Sequence, residues 1–499
     1  MAGDASDGSA SAPTGGPRWR EEWVCSVPEP DGWHAVFADQ EQVVWTVERG
    51  DRVRVVLNGH CVREHDAPQE IEPRLSPNGH TLGYVLRRGD RYVVVIGERE
   101  SPEHDRIGRR GAVFSDDGNH VAFLARRGDG WVSAVDGEEG PPYDEIVDEP
   151  AFSPDGSRVA YTARRGSRWV AVVDGCESPA YDEVSRTLGF STDGQHVSYV
   201  ARQGREWLIA LDGVAEPAWG EPVSQWVRFS PDGRRTAYVA GRGGRQAVVV
   251  DGKAGPEYGK IGSCGPVFSP DSKRVAYAAR RGLGRWHVVL DGAEGPPYPC
   301  IGGPLAFSPD GQGIAFKAFR ALRPPRLLFL EWLLTRPDAS IRVSWADMHD
   351  IHAIRPFVVV DGDEGPEYEW VAWDPPLFSR DGRRVAYVAS REGKGVVVVN
   401  SEEGPPHDIV CEVAFSPDGQ RLAYTARDGE QPPETEDVWR HGKHYLMGPT
   451  YARNTVVLDG QEGPSYDHVY RRRRGEFQPD GTICYLARRG QHVRRVTQW

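Results

Sequence analysis

The sequence predicts an all-β protein made of eleven copies of one small antiparallel sheet, and three observations carry that reading. The letters FSPDG, at Phe152–Gly156, recur verbatim at Phe229, Phe307 and Phe415. Anchors aligned on that stretch fall at Val36, Leu75, Phe114, Phe152, Phe190, Phe229, Phe268, Phe307, Phe378, Phe415 and Phe477, and from Val36 to Phe307 they lie 38 or 39 residues apart. A repeat of that length marks stacked supersecondary units. Four strands of about five or six residues and four turns of about four residues already fill the period, so no crossover helix fits.

The elements of one unit follow in order. A strand ends on the anchor Phe. In Ser-Pro-Asp-Gly, Pro presets the second turn position, Asp bonds local amides and Gly takes the positive φ, which makes a tight hairpin. RVAYTARRG is an alternating strand closed by Gly, and RWVAVVDG is a nearly continuous apolar strand closed by Asp-Gly. A Gly-Pro-Pro-Tyr segment then leads through DEIV into the next unit. The third strand (AVVDG, VVLDG) is apolar on both faces and therefore needs cover from both sides. Neighbouring copies of the same sheet supply it, and sheets stacked face to face about an axis form a β-propeller.

The pattern FSPDG-x-x-V-A-Y, followed by a Val-rich strand ending in Asp, resembles the WD-repeat-like blades of TolB-type and tricorn-type propellers over about Val36 to Trp499. That resemblance implies blade architecture and leaves function open, since such blades serve binding, transport and enzyme-associated roles. The Trp-Asp pair of true WD repeats is absent. Asn78 replaces the turn Asp, Ser272 the turn Gly, and VFADQ in the first unit has lost both Pro and Gly. The last unit stops after its third strand, HVRRVTQW, and Glu21–Glu29 has the character of the missing fourth, so the chain ends are expected to meet in one blade. Propellers commonly have about four to eight blades, so eleven units imply two rings or one unusually wide ring, with no linker to place a boundary.

Composition narrows the classes. The formal charge of −13 disfavours nucleic acid and anionic membrane as general partners. Residues 1–17 are small, polar and Gly/Pro-rich, the composition of a disordered tail, with no signal-peptide pattern; residues 18–499 carry the repeats. The run Leu327–Leu334 is interrupted by Glu331 and too short to span a bilayer. Seven widely spaced cysteines without a CxxC pair suggest neither a disulfide framework nor a zinc knuckle, which fits a reducing cytoplasm.

Candidate functional residues concentrate at one end of the blades. The first-to-second and third-to-fourth turns carry acids (Asp117, Asp155, Asp193, Asp136, Glu139, Glu403), so that end is expected to be acidic. The second-to-third turns carry arginines (Arg87-Arg88, Arg126-Arg127, Arg164-Arg165, Arg280-Arg281), so the other end is expected to be basic. Arg471, Arg472, Arg473 and Arg474 join them there. Both long insertions, 320–356 and 428–453, also enter at the second-to-third turn; the first holds the amphipathic helix candidate RLLFLEWLLTRPD and the second EDVWRHGKHYLMGP. Long loops on a rigid scaffold are where binding resides, which makes Leu327, Phe329, Trp332, Trp439 and Arg471–Arg474 the binding candidates for a protein partner, an acidic one where the arginines serve. The bland alternative is that the arginines are solvated with their stems over aromatic neighbours, and that the apolar residues pack on the blade rim. His349 with His352, and His441 with His444, are H-x-x-H pairs of zinc-ligand type but lack a diagnostic third ligand. No cofactor is expected. The absence of a G-x-S-x-G elbow, a P-loop or a dinucleotide fingerprint leans away from an enzyme. A non-enzymatic interaction scaffold is the preferred reading; a propeller enzyme or metal-dependent hydrolase or lyase, and a polyanion binder, are the alternatives. Trp131, Trp169, Trp207 and Trp286, with Tyr143, Tyr181, Tyr258, Tyr298, Tyr368 and Tyr466, recur at fixed positions and are expected between blades rather than around a ligand.

Overall fold

The structure, a computed structural model, describes residues 19–26, 36–38, 42–49, 52–66, 73–223, 227–282, 284–320, 355–429, 439–440, 443–444, 453–470, 477–490 and 492–499. Among these residues every regular element is a β-strand, and eleven antiparallel sheets follow one another as β-propeller blades, meanders in chain order except the blade that joins the two chain ends.

Blade four shows the pattern. Its strands run Glu145–Phe152, Val159–Arg165, Arg168–Val173 and Cys176–Glu177 and pair in chain order. The turn Asp works as the sequence suggests. Ser153 Oγ donates to Asp155 Oδ1 at 2.5 Å, the Ser157 amide donates to the same oxygen at 3.2 Å, and these bonds hold the carboxyl below its usual range. The two outer strands depart from the expected five or six residues in different ways. The fourth has two residues, extended by the isolated bridge between Trp169 and Tyr181. The first is bulged, passing from Val147 opposite Thr162 to Ala151 opposite Ala160. In blade three the same bulge divides it into Arg106–Ile107 and Val113–Phe114, both paired with Val121–Arg127. Extra residues at one place bend that strand away from its ladder.

Blades are joined by recurrent contacts that explain why the motif repeats. Arg158, six residues after its anchor Phe152, pairs with Asp174 of its own blade at 2.8 Å, lies 5.9 Å over Phe190 of the next, and donates to the Gln195 carbonyl there at 2.7 Å. Arg235 repeats this with Asp251, Phe268 and the carbonyls of Ser272 and Lys273. His196 takes the same place, bonded to Asp212 and stacked on Phe229. The turn Gly is fixed by the preceding blade as well as by its φ of +74°: a Cβ on Gly156 would stand 2.7 Å from Asp117 Oδ1. Ser272, which replaces that Gly, adopts φ 64° and accepts the Asp232 amide at 3.0 Å, a bond that offsets its strained backbone. Asn78, in place of the turn Asp, keeps the Ser76 contact and donates to the Asp117 carbonyl.

The first unit needs a correction. Val44 pairs with Leu57 as Ala160 pairs with Val173, and Ala38 lies opposite Val43 where Phe152 lies opposite Val159. Ala38, not Val36, therefore holds the anchor position, because the turn that lost Pro and Gly is two residues shorter.

The chain ends do share a blade. Trp19–Ser26 pairs antiparallel with His492–Gln498, from Trp19 opposite Gln498 to Ser26 opposite His492, and completes a sheet with Ile483–Arg489 and His468–Tyr470. The strand begins two residues earlier than expected and ends before Pro28. The chain divides into two compact units, Met1–Glu70 with Ser379–Trp499, and Ile71–Phe378. The closing blade belongs to the first; blades two to eight belong to the second.

Candidate functional site

The end of the blades that carries the second-to-third turns is built from paired arginines. In blade four Arg165 lies opposite Arg168 across a turn of Gly166 and Ser167. Arg165 meets Glu177 of the fourth strand at 3.0 Å and lies 5.0 Å from the Tyr143 ring; Arg164 reaches Glu145 at 3.1 Å and lies 5.7 Å over Trp169. The same pairs recur as Arg88 with Glu100, Arg127 with Glu139, Arg281 with Glu294 and Arg391 with Glu403. Arg202 over Trp207 and Arg280 over Trp286 repeat the aromatic contact. The guanidinium groups of these arginines thus lie over aromatic neighbours.

The expected separation of an acidic from a basic end is reduced for the same reason. Glu139 and Glu403, assigned by sequence to the acidic end, reach the turn arginines. Arg158, Arg235, Arg274 and Arg421 bring positive charge to the aspartates of the other end, at 2.8 to 3.2 Å. Exposed pairs of this kind contribute about 0–1 kcal/mol each. Their effect is on the local field more than on stability.

The recurrent aromatics sit between blades, as expected for the tyrosines and for Trp286. Tyr143, Tyr181, Tyr258, Tyr298, Tyr368 and Tyr466 are buried, with edge-on contacts such as Tyr143 to Tyr161 at 6.2 Å. Trp131, Trp169 and Trp207 are half-buried.

Both insertions leave from second-to-third turns. Strand pairing in blade eight runs to Phe319 opposite Pro356, and the Arg320 amide donates to the Arg355 carbonyl at 3.2 Å, which closes the neck of the first insertion. The Arg320 guanidinium is held by Glu364 and Glu367 and lies 4.8 Å over Phe357. In blade ten the pairing extends to Asp428 opposite Arg453. Leu327, Phe329, Trp332, His349, His352, His441 and Arg471–Arg474 lie outside the described residues. Trp439 and His444 are described by backbone alone, paired in a two-stranded hairpin, so the second H-x-x-H ends on a strand rather than on a helix.

Sequence reasoning missed Lys317. It occupies, on the second strand of blade eight, the place of Thr162, Val239 and Ala278 in other blades, and it is 6% exposed. Its Nζ donates to the carbonyls of Val371 (3.3 Å) and Ala372 (3.1 Å) and lies 5.0 Å from the Trp373 ring. Thr162 makes the analogous inter-blade bond to the Ser185 carbonyl at 2.8 Å. Burial pushes the Lys317 ammonium down to about 8, while the nearby Cys264, Cys300 and Asp374 pull it back up. Beside it a cavity of about 30 Å³, room for about one water, is lined by Cys264, Cys300, Trp286, Gly302 and Gly303. Trp373 and Leu377 are exposed large apolar side chains. The available signal was the lone charge in IAFKAF.

No protein-family model matches this chain, and no curated protein matches it. Solved structures with similar folds include a eukaryotic initiation factor (11% identity, 79% of this chain and 97% of that one, TM-score 0.39). Others are the β-propeller domain of the Trilobed protease from Pyrococcus furiosus (14%, 53% and 96%, TM-score 0.25) and TolB from Acinetobacter baumannii (14%, 70% and 80%, TM-score 0.24).

Proposed function

We propose that the protein is a non-enzymatic binding scaffold on TolB-like blades, which engages a protein partner through the end bearing the two insertions. One observation supports this above others. Hairpins that elsewhere close in two residues, such as Gly166-Ser167, are extended at Phe319/Pro356 and Asp428/Arg453 without disturbing the strand register below them. Long loops added at equivalent turns, each on self-paired strands, are the arrangement that places recognition on loops. The turn arginines are engaged by glutamates of their own blades, so Arg471–Arg474 and the apolar run Leu327, Phe329 and Trp332, with Trp439, are the contact residues of this reading.

Immobilised full-length protein exposed to extract of its native cell, followed by quantitative mass spectrometry, tests it. A specific partner is captured by wild type and lost with Trp332→Ala when the apolar run anchors it, because aromatic anchors dominate interface energies. Replacement of Arg471–Arg474 by Gln instead weakens capture and flattens its salt dependence when charge anchors it. Capture that survives both changes places binding elsewhere and overturns the reading.

A further inference from the structure

One inter-blade contact repeats, and one copy of it is altered at two positions at once. Between blades three and four, Tyr143 Oη donates to Glu177 at 2.8 Å and Arg165 meets the same carboxylate at 3.0 Å. At the chain closure Tyr466 Oη donates to Glu21 at 2.7 Å, with Arg494 at 2.5 Å and Arg489 at 3.8 Å. His104 stands in the tyrosine position before blade three, 3.7 Å from Glu139, and there Arg127 is retained at 2.8 Å. Every one of these copies sets an arginine against the glutamate.

Before blade ten the tyrosine is His407, and the arginine is Asp428. The glutamate, Glu462, is kept. Donor atoms of the three side chains lie within 4.8 Å of one another. His407 is 2% exposed; its Nδ1 is 2.8 Å from Asp428 Oδ2, and its buried Nε2 has no hydrogen-bond partner. Asp428 is itself fixed, since its Oδ1 accepts the Asp408 amide at 3.0 Å. Of the cations beside this group, Lys394 is committed to Asp408, and Arg453 lies opposite Asp428 in the strand register. An imidazole that donates Nδ1–H to a carboxylate keeps its Nε2 lone pair available to a further partner. That is the arrangement by which proteins orient a histidine ligand toward a metal, and imidazole with carboxylate suits zinc-class cations.

We propose that His407, Asp428 and Glu462 form a binding site for a divalent transition-metal cation of the zinc class. His407 Nε2 and the Glu462 carboxylate are its ligands, Asp428 orients the imidazole, and water completes the shell. The metal supplies, at the root of the second insertion, the positive charge that arginine supplies in the other copies. Exposed Glu462 closes the remaining distance to the metal.

The test uses the full chain stripped by a chelator and titrated with Zn²⁺ by calorimetry, with Co²⁺ absorption as a second readout. His407→Tyr and Asp428→Arg install the residues that the other blades carry, so they keep the fold, which circular dichroism verifies. One Zn²⁺ per chain is expected in wild type. Binding falls about 100-fold or more in His407→Tyr and about 10- to 100-fold in Asp428→Arg and Glu462→Gln. The double variant His441→Ala, His444→Ala is expected to bind as wild type does. No stoichiometric uptake by wild type, undiminished uptake by His407→Tyr, or uptake that depends on His441 and His444 instead would each overturn the assignment.

Discussion

Removing the Glu21 carboxylate takes the acceptor from Tyr466 Oη and the counter-charge from Arg494, both part-buried. The Tyr466 hydroxyl is held well above its usual pKa, first by burial and then by its neighbour Tyr485 and the Glu21 contact. Glu21→Ala should therefore cost about 2 kcal/mol, and Glu177→Ala, the equivalent change within the chain, should cost a comparable amount. Urea denaturation of the two variants measures this; no loss in Glu21→Ala would mean that the closing blade is not held as described. Lys317 gives a second prediction, in pH. Its folded ammonium titrates near 8 and an unfolded lysine near 10.4. Between those values the unfolded chain binds more protons, so the cost of burying the charge is relieved as pH rises. The stability of wild type relative to Lys317→Thr should thus improve by about 1 kcal/mol or more from pH 8 to 10. A flat difference would show that the two carbonyls and the Trp373 ring keep the lysine charged without penalty.

Strands two and three were legible because their apolar alternation and their Gly and Asp-Gly stops are local properties of the chain. Most fourth strands were overestimated because a two-residue strand with an isolated bridge leaves no periodic trace. The first anchor was misplaced by two residues because a turn that has lost its Pro and Gly gives no sign of how many residues it has shed. Contacts between blades were legible only in part: that Arg158 lies on Phe190 while Asp117 confines Gly156 follows from stacking, which a single unit does not encode. Lys317 and His407 were visible in principle as departures from the repeat. Closure by the N-terminal strand makes a prediction at this scale. Deleting residues 1–17 should leave stability unchanged, whereas deleting residues 1–30 removes Trp19–Ser26 and bares the edge His492–Gln498, promoting aggregation. Light scattering on the two truncations distinguishes them, and equal behaviour would count against the pairing.

For the molecule as a whole, circular dichroism should show β structure with at most a few percent helix, confined to residues 320–356, since the described residues contain no helix. The account separates a scaffold, stabilised by contacts that every blade repeats, from two insertions that no blade needs. The most direct measurement replaces residues 321–354 and 430–452 with two-residue Gly-Asp turns and records thermal unfolding together with partner capture. Wild-type Tm with capture abolished is the predicted result. A collapsed Tm, or full capture by the shortened chain, would contradict that separation.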